Sequence, residues 1–153
     1  MAIAYVNKGA IGGGAGAASA TPALPASITA GNLLLAVVMT QAATSTHTWP
    51  AGWTQIDQRQ WNTGNTDAAS FAYRVATGAD TAPTVTLTGS PNYWCQTFQL
   101  SGTSSTPISA ARSFATGLTG THSSGSVVTT ADNSVVLYLD AANNTTLLTA
   151  PAG

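Results

Sequence analysis

Leu33-Leu34-Leu35-Ala36-Val37-Val38-Met39-Thr40 is the stretch on which the fold turns. It follows the turn residues Ala30-Gly31-Asn32 and is apolar almost throughout, the pattern of a strand covered on both faces. A helix of this length would be short, and the Val37-Val38 pair is a poor helix former. Further along, Ala69, Phe71, Tyr73 and Val75 alternate with Ser70, Ala72 and Arg74, a period of two with one buried face. Val85 and Leu87 alternate with threonines in Pro83 to Thr88, and Trp94, Phe98 and Leu100 fall opposite Tyr93, Cys95 and Gln99. The stretch Trp53 to Trp61 is polar between its ends and is read as an outward-facing strand, and Ser126 to Thr130 and Ser134 to Ala142 supply two more strands.

These runs are short, evenly spaced and punctuated by Gly, Pro and Asn, and none shows a sustained helical period. The expected fold is therefore all-β, an antiparallel β-sandwich of jelly-roll-like form, with a generic Greek-key sandwich as the near alternative. Trp49-Pro50-Ala51-Gly52-Trp53 is read as a rigid corner, and Asn62 to Asp67 as a turn between two strands. Two segments are expected. Residues 1–18 hold a first strand, Ala2 to Asn7, and a flexible Gly/Ala-rich stretch whose Gly12-Gly13-Gly14 centre has no side chains to pack; residues 19–153 form the sandwich. Thr48 to Trp53 is echoed by Thr149-Ala150-Pro151-Ala152-Gly153, so a further strand is expected beyond the end of this sequence.

Charge is scarce. Only 6% of the 153 residues are charged, glutamate is absent, and the net charge is -1. Lys8, Arg59, Arg74 and Arg112 are scattered, so no basic field exists to neutralise a phosphate backbone, and nucleic acid is not an expected partner. Catalytic sites recruit tuned pairs of ionisable groups, and five aspartates, two histidines and one cysteine give little material, so the protein is not expected to be an enzyme. No serine-hydrolase signature is present, and a polysaccharide hydrolase would need the fold to bring two aspartates together. His47 and His122 lack the spacing of zinc ligands, and no acidic calcium loop occurs; no metal or cofactor is expected, and a solvated turn is preferred over an ion site at Asn62, Asn65 and Asp67. Gly12 to Gly16 is not followed by the Lys-Ser/Thr of a phosphate loop.

Cys95, alone, is expected as a buried thiol. Met1 to Val6 has no basic region leading into an apolar one, and Leu33 to Met39 is too short to cross a bilayer, so a soluble protein made in a cytoplasm is expected. The sequons at Asn143 and Asn144 are then incidental. A surface this poor in charge is suited to lie against another surface.

Ala30-Gly31-Asn32-Leu33-Leu34-Leu35-Ala36-Val37-Val38, then Pro50-Ala51-Gly52-Trp53-Thr54-Gln55-Ile56, then Phe71-Ala72-Tyr73-Arg74-Val75-Ala76-Thr77-Gly78 resembles a pattern of tailed-bacteriophage and prophage structural proteins. There a "GNLLLA" strand, a "PAGWT" corner and a "YKVAT" strand recur in this order within a β-sandwich. The resemblance runs from Ala30 through Val127 to Thr130 and Val135 to Leu139, and it departs at the end, where the strand expected after Gly153 is missing. It implies a virion component: a capsid decoration or cement protein whose partners are the major capsid protein and neighbouring copies of itself. Homo-oligomerisation is compatible with this.

Ala2, Ile3, Ala4, Tyr5 and Val6 are the expected contact residues, adding as a strand to capsid or to a neighbour. The alternative is a carbohydrate-binding, receptor-recognition domain of a tail fibre or spike, with Trp49 and Trp61 stacking on sugar; core packing competes for all the tryptophans, most strongly for Trp53 and Trp94.

Overall fold

A computed structural model describes residues 2–61 and 67–108, with Trp61 described in its backbone alone. These residues form β1 (Ala4–Lys8), β2 (Gly12–Gly14), β3 (Ser19–Ala20), β4 (Leu33–Thr40), β5 (His47–Thr48), β6 (Thr54–Trp61), β7 (Asp67–Val75), β8 (Val85–Leu87) and β9 (Tyr93–Ser101), with no helix among them. The large sheet has the order β1-β9-β4-β7-β6, with β2 also paired to β9, and the small sheet has the order β3-β8-β5. Every pairing is antiparallel. The chain leaves the large sheet after β4 for β5, returns at β6, and leaves again after β7 for β8 before returning at β9. The two sheets pack face to face, giving the β-sandwich that the alternating runs predict. The strands expected at Ser126 to Thr130 and Ser134 to Ala142, the two sequons, His122 and the terminal echo lie outside the described residues.

The apolar run Leu33 to Thr40 becomes the central strand β4, flanked in full register by β7 and β9. Its even-numbered residues face the small sheet. Val38 packs with Ala20, Val85, Leu87 and Cys95, while Leu34 and Ala36 pack with Trp53, Ala72 and Ala76. Trp49 is half-buried between the two clusters. The period of two in β7 is present, but the face that meets the second sheet is the one carrying Ala68, Ser70 and Ala72, all fully buried. Phe71 and Tyr73 point the other way, in register with Val37 and Leu35. Small side chains on the inner face leave room for the Trp49 and Trp53 rings, whose centroids lie 5.8 Å apart.

Gly12-Gly13-Gly14 is a strand, not a free connector. Its partners on β9 are Cys95, Trp94 and Tyr93, and their side chains lie across the glycine backbone. A Cβ on Gly12 would sit 2.9 Å from the Cys95 Sγ, and one on Gly14 would sit 2.8 Å from the Tyr93 ring. The missing side chains are thus filled by those of the neighbouring strand, the device by which aromatic residues cover glycines at a sheet edge.

The Pro50 to Trp53 corner closes with the Trp53 amide donating to the Pro50 carbonyl at 3.2 Å and with Gly52 at φ 85°, a conformation that favours glycine. The Arg74 guanidinium lies beneath Gly52 and its Nε is 3.1 Å from Asp80, whose carboxylate is fully buried. Asp80 Oδ2 also accepts from the amides of Thr77 at 2.8 Å and Gly78 at 3.0 Å. One ion pair therefore ties the corner to the turn after β7.

Candidate functional site

His47 is the one histidine among the described residues, and the fold places it between the sheets. Its ring Nδ1 is 2.8 Å from Ser70 Oγ and its Nε2 is 3.0 Å from Thr40 Oγ1. Trp49 Nε1 donates to the same Ser70 hydroxyl at 3.1 Å, and the His47 amide donates to Gln58 Oε1 at 3.1 Å. A neutral imidazole satisfies both neighbours, one nitrogen donating and the other accepting. Burial pushes the His47 pKa down from 6.5 to about 4, because a charged ring would lose its hydration without gaining a carboxylate. Ser70 is fully buried, so this serine–histidine contact offers no hydroxyl to a substrate; it is a polar joint inside the sandwich.

The carboxylates do not converge. Asp57 pairs with Arg59 at 2.9 Å on the edge strand β6, and Asp80 is held by Arg74 and two amides. Among the described residues, no three of His, Cys, Asp and Glu come close enough to hold a metal ion. Asp67 is described and opens β7, while Asn62 and Asn65 of the expected turn lie outside the described residues, as do Asp132 and Asp140.

The expected contact segment Ala2 to Val6 falls at the edge of the large sheet. Ala4 pairs with Ser101 and Tyr5 with Leu100, and a bulge between Tyr5 and Asn7 shifts the register. The outer side of β1 has no partner strand among the described residues. Tyr5 is 59% exposed and Ile11, in the link to β2, is 71% exposed. Val6 and Trp94 are exposed as well, so four of the five exposed large apolar residues among those described gather along the β1–β2–β9 border. Lys8 is the one charged residue of this border. On its inner side the border is fixed by Gln99, whose amide donates to Asn7 Oδ1 at 2.9 Å and to the Ser27 carbonyl at 3.0 Å.

Of the two tryptophans read as a sugar platform, Trp49 is drawn into the interior by its bond to Ser70 and its packing on Trp53, while Trp61 ends β6 and its side chain lies outside the described residues. Trp53 is core, as core packing of its large ring predicts. Trp94, for which core packing is the stronger expectation, is 45% exposed, its indole lying against Gly13. Position on an even-numbered site of β9 gave no clue to this, since the pattern does not say which face a second sheet covers.

Sequence reasoning missed a further surface. Ser19 stands opposite Thr86, and Thr86 opposite Thr48, so one rank of hydroxyls crosses all three strands of the small sheet. The next rank is Thr46 and Thr88, whose hydroxyls lie 3.2 Å apart, and Thr84 precedes β8. All six are exposed. The signal was present as Thr46-x-Thr48 and Thr84-x-Thr86-x-Thr88, the period of a strand face.

No protein-family model, no curated protein and no solved structure matches the chain.

Proposed function

We propose that the protein is a non-enzymatic structural component of a tailed-phage virion, a decoration protein that lies on the head surface and reinforces it. The observation that carries this reading is the apolar border of β1, β2 and β9, where Tyr5, Val6, Ile11 and Trp94 are exposed beside a strand that has no outer partner among the described residues. Edges of this kind are sites where another chain adds, and exposed apolar clusters mark contact surfaces. The sealed His47–Ser70 joint and the separate arginine partners of Asp57 and Asp80 are compatible with a contact role. Copies seated in register across a repeating lattice would gain from many weak contacts.

Because Ala4–Lys8 and Gly12–Gly14 are strands of the large sheet, the test uses point changes and not removal of the segment. Tyr5→Lys with Ile11→Lys is expected to lower occupancy on undecorated heads by about tenfold or more, measured by sedimentation with the particles. Undiminished occupancy would remove the border from the reading. The carbohydrate-binding alternative keeps one specific support, the exposed Trp94 ring beside the bare backbone of Gly13. A glycan array answered by the isolated protein but not by Trp94→Ala, together with no binding to heads, would favour it.

A further inference from the structure

We propose that the outward face of the small sheet is a docking surface for an uncharged, hydroxyl-rich polysaccharide. The face is built of Thr46, Thr48, Thr84, Thr86, Thr88 and Ser19, all exposed, and no charged residue belongs to β3, β5 or β8. With no charged side chain on these strands to pair with an ionic partner, the face suits a neutral polyol, which meets groups of its own kind. Each hydroxyl is one donor and two acceptors, and a threonine adds a methyl group that suits the C–H face of a sugar ring. The hydroxyls of Ser19, Thr48, Thr84 and Thr86 have no hydrogen-bond partner among the described residues. Thr88 Oγ1 accepts from the Thr46 amide at 2.8 Å, which fixes that rank in place.

Order in two dimensions separates this face from ordinary surface threonines. Strands stand about 4.8 Å apart and same-face residues repeat every ~6.8 Å, so the hydroxyls form a lattice in place of a scatter. The lattice is rigid, because Val85 and Leu87 anchor β8 in the core while β3 and β5 hold both its edges. Preorganised groups lose little freedom on binding. Single hydroxyl contacts exchange with water at small net gain, so affinity requires several in register, and a polymer of repeating hydroxyls supplies them. This surface lies on the opposite sheet from the β1–β2–β9 border, so it stands or falls independently of the head-binding reading.

The test is native electrophoresis of the full chain through gels cast with dextran, soluble starch or a soluble mixed-linkage β-glucan. Retardation by at least one of these is expected. The variant Thr48→Val/Thr84→Val/Thr86→Val keeps shape and strand propensity while removing three hydroxyls, and it should lower the association constant about tenfold or more. An unchanged thermal midpoint shows that the variant is folded, and unchanged head occupancy shows that the two surfaces are independent. No retardation in any of the three gels would overturn the proposal, as would equal retardation of wild type and variant. Self-association of the wild type that the variant abolishes, without retardation, would assign the face to a second copy of the chain and overturn it equally.

Discussion

Leu35, Tyr73 and Phe98 meet across the outer face of the large sheet, whereas the equivalent row of the small sheet is Thr48, Thr86 and Ser19. Both rows belong to strands whose opposite faces line the same interior, and yet one is bulky and apolar and the other short and hydroxylated. Leu33 and Leu35 are each only 3% exposed, while every threonine of the small sheet's row is open. The contrast shows that the two sheets are not equivalent layers. β4 is apolar on both faces and largely buried on both, with only Val37 and Met39 part-exposed; β8 is a one-sided strand whose threonine face is open.

That contrast can be broken most sharply with a charge. Leu35→Asp is expected to abolish cooperative unfolding or cost more than about 4 kcal/mol, since a buried carboxylate without a partner is among the most damaging changes a fold meets. Thr86→Asp, at the matching place on the other sheet, should cost no more than about 1 kcal/mol in a denaturant titration. Equal losses would mean that the small sheet's face is as closed as the large one's.

The layer between the two faces answers to pH. Above pH 6.5 the His47 ring is neutral folded and unfolded, and it contributes its full share to stability. Below 6.5 the unfolded ring takes up a proton that the folded ring refuses until about pH 4, so stability falls across that window, by about 3 kcal/mol in total. Chemical denaturation at a series of pH values should show this slope, and His47→Gln, which cannot titrate, should flatten it while lowering stability at neutral pH. A wild-type profile already flat between pH 6.5 and 4 would contradict the sealed joint.

The smallest effect is expected from Thr86→Val alone, which should move stability by less than about 0.5 kcal/mol in either direction. A larger loss would mean that the hydroxyl serves the fold and not a ligand.

Much of the sandwich was legible because a strand's period is written locally: Leu33 to Thr40, the alternation of Ala69 to Val75, and the Pro50 to Trp53 corner each name their own structure. What was not local was not legible. Choosing between the two faces of β7 requires knowing that Trp49 and Trp53 occupy the space opposite Ser70 and Ala72. The glycines of β2 look unfit for a strand until Tyr93, Trp94 and Cys95 are laid across them from far along the chain. The site was hardest of all, since composition pointed to contact in place of chemistry, but a rank of hydroxyls drawn from three separate strands exists only once the strands are paired.

The packing of Cys95 beneath Gly12 makes the chain's single cysteine a reporter. Burial raises the thiol's pKa, and the backbone of β2 covers its Sγ. An electrophile in solution therefore reaches it only when β2 peels away from β9, and the speed of alkylation becomes a clock for how often that outermost strand lets go.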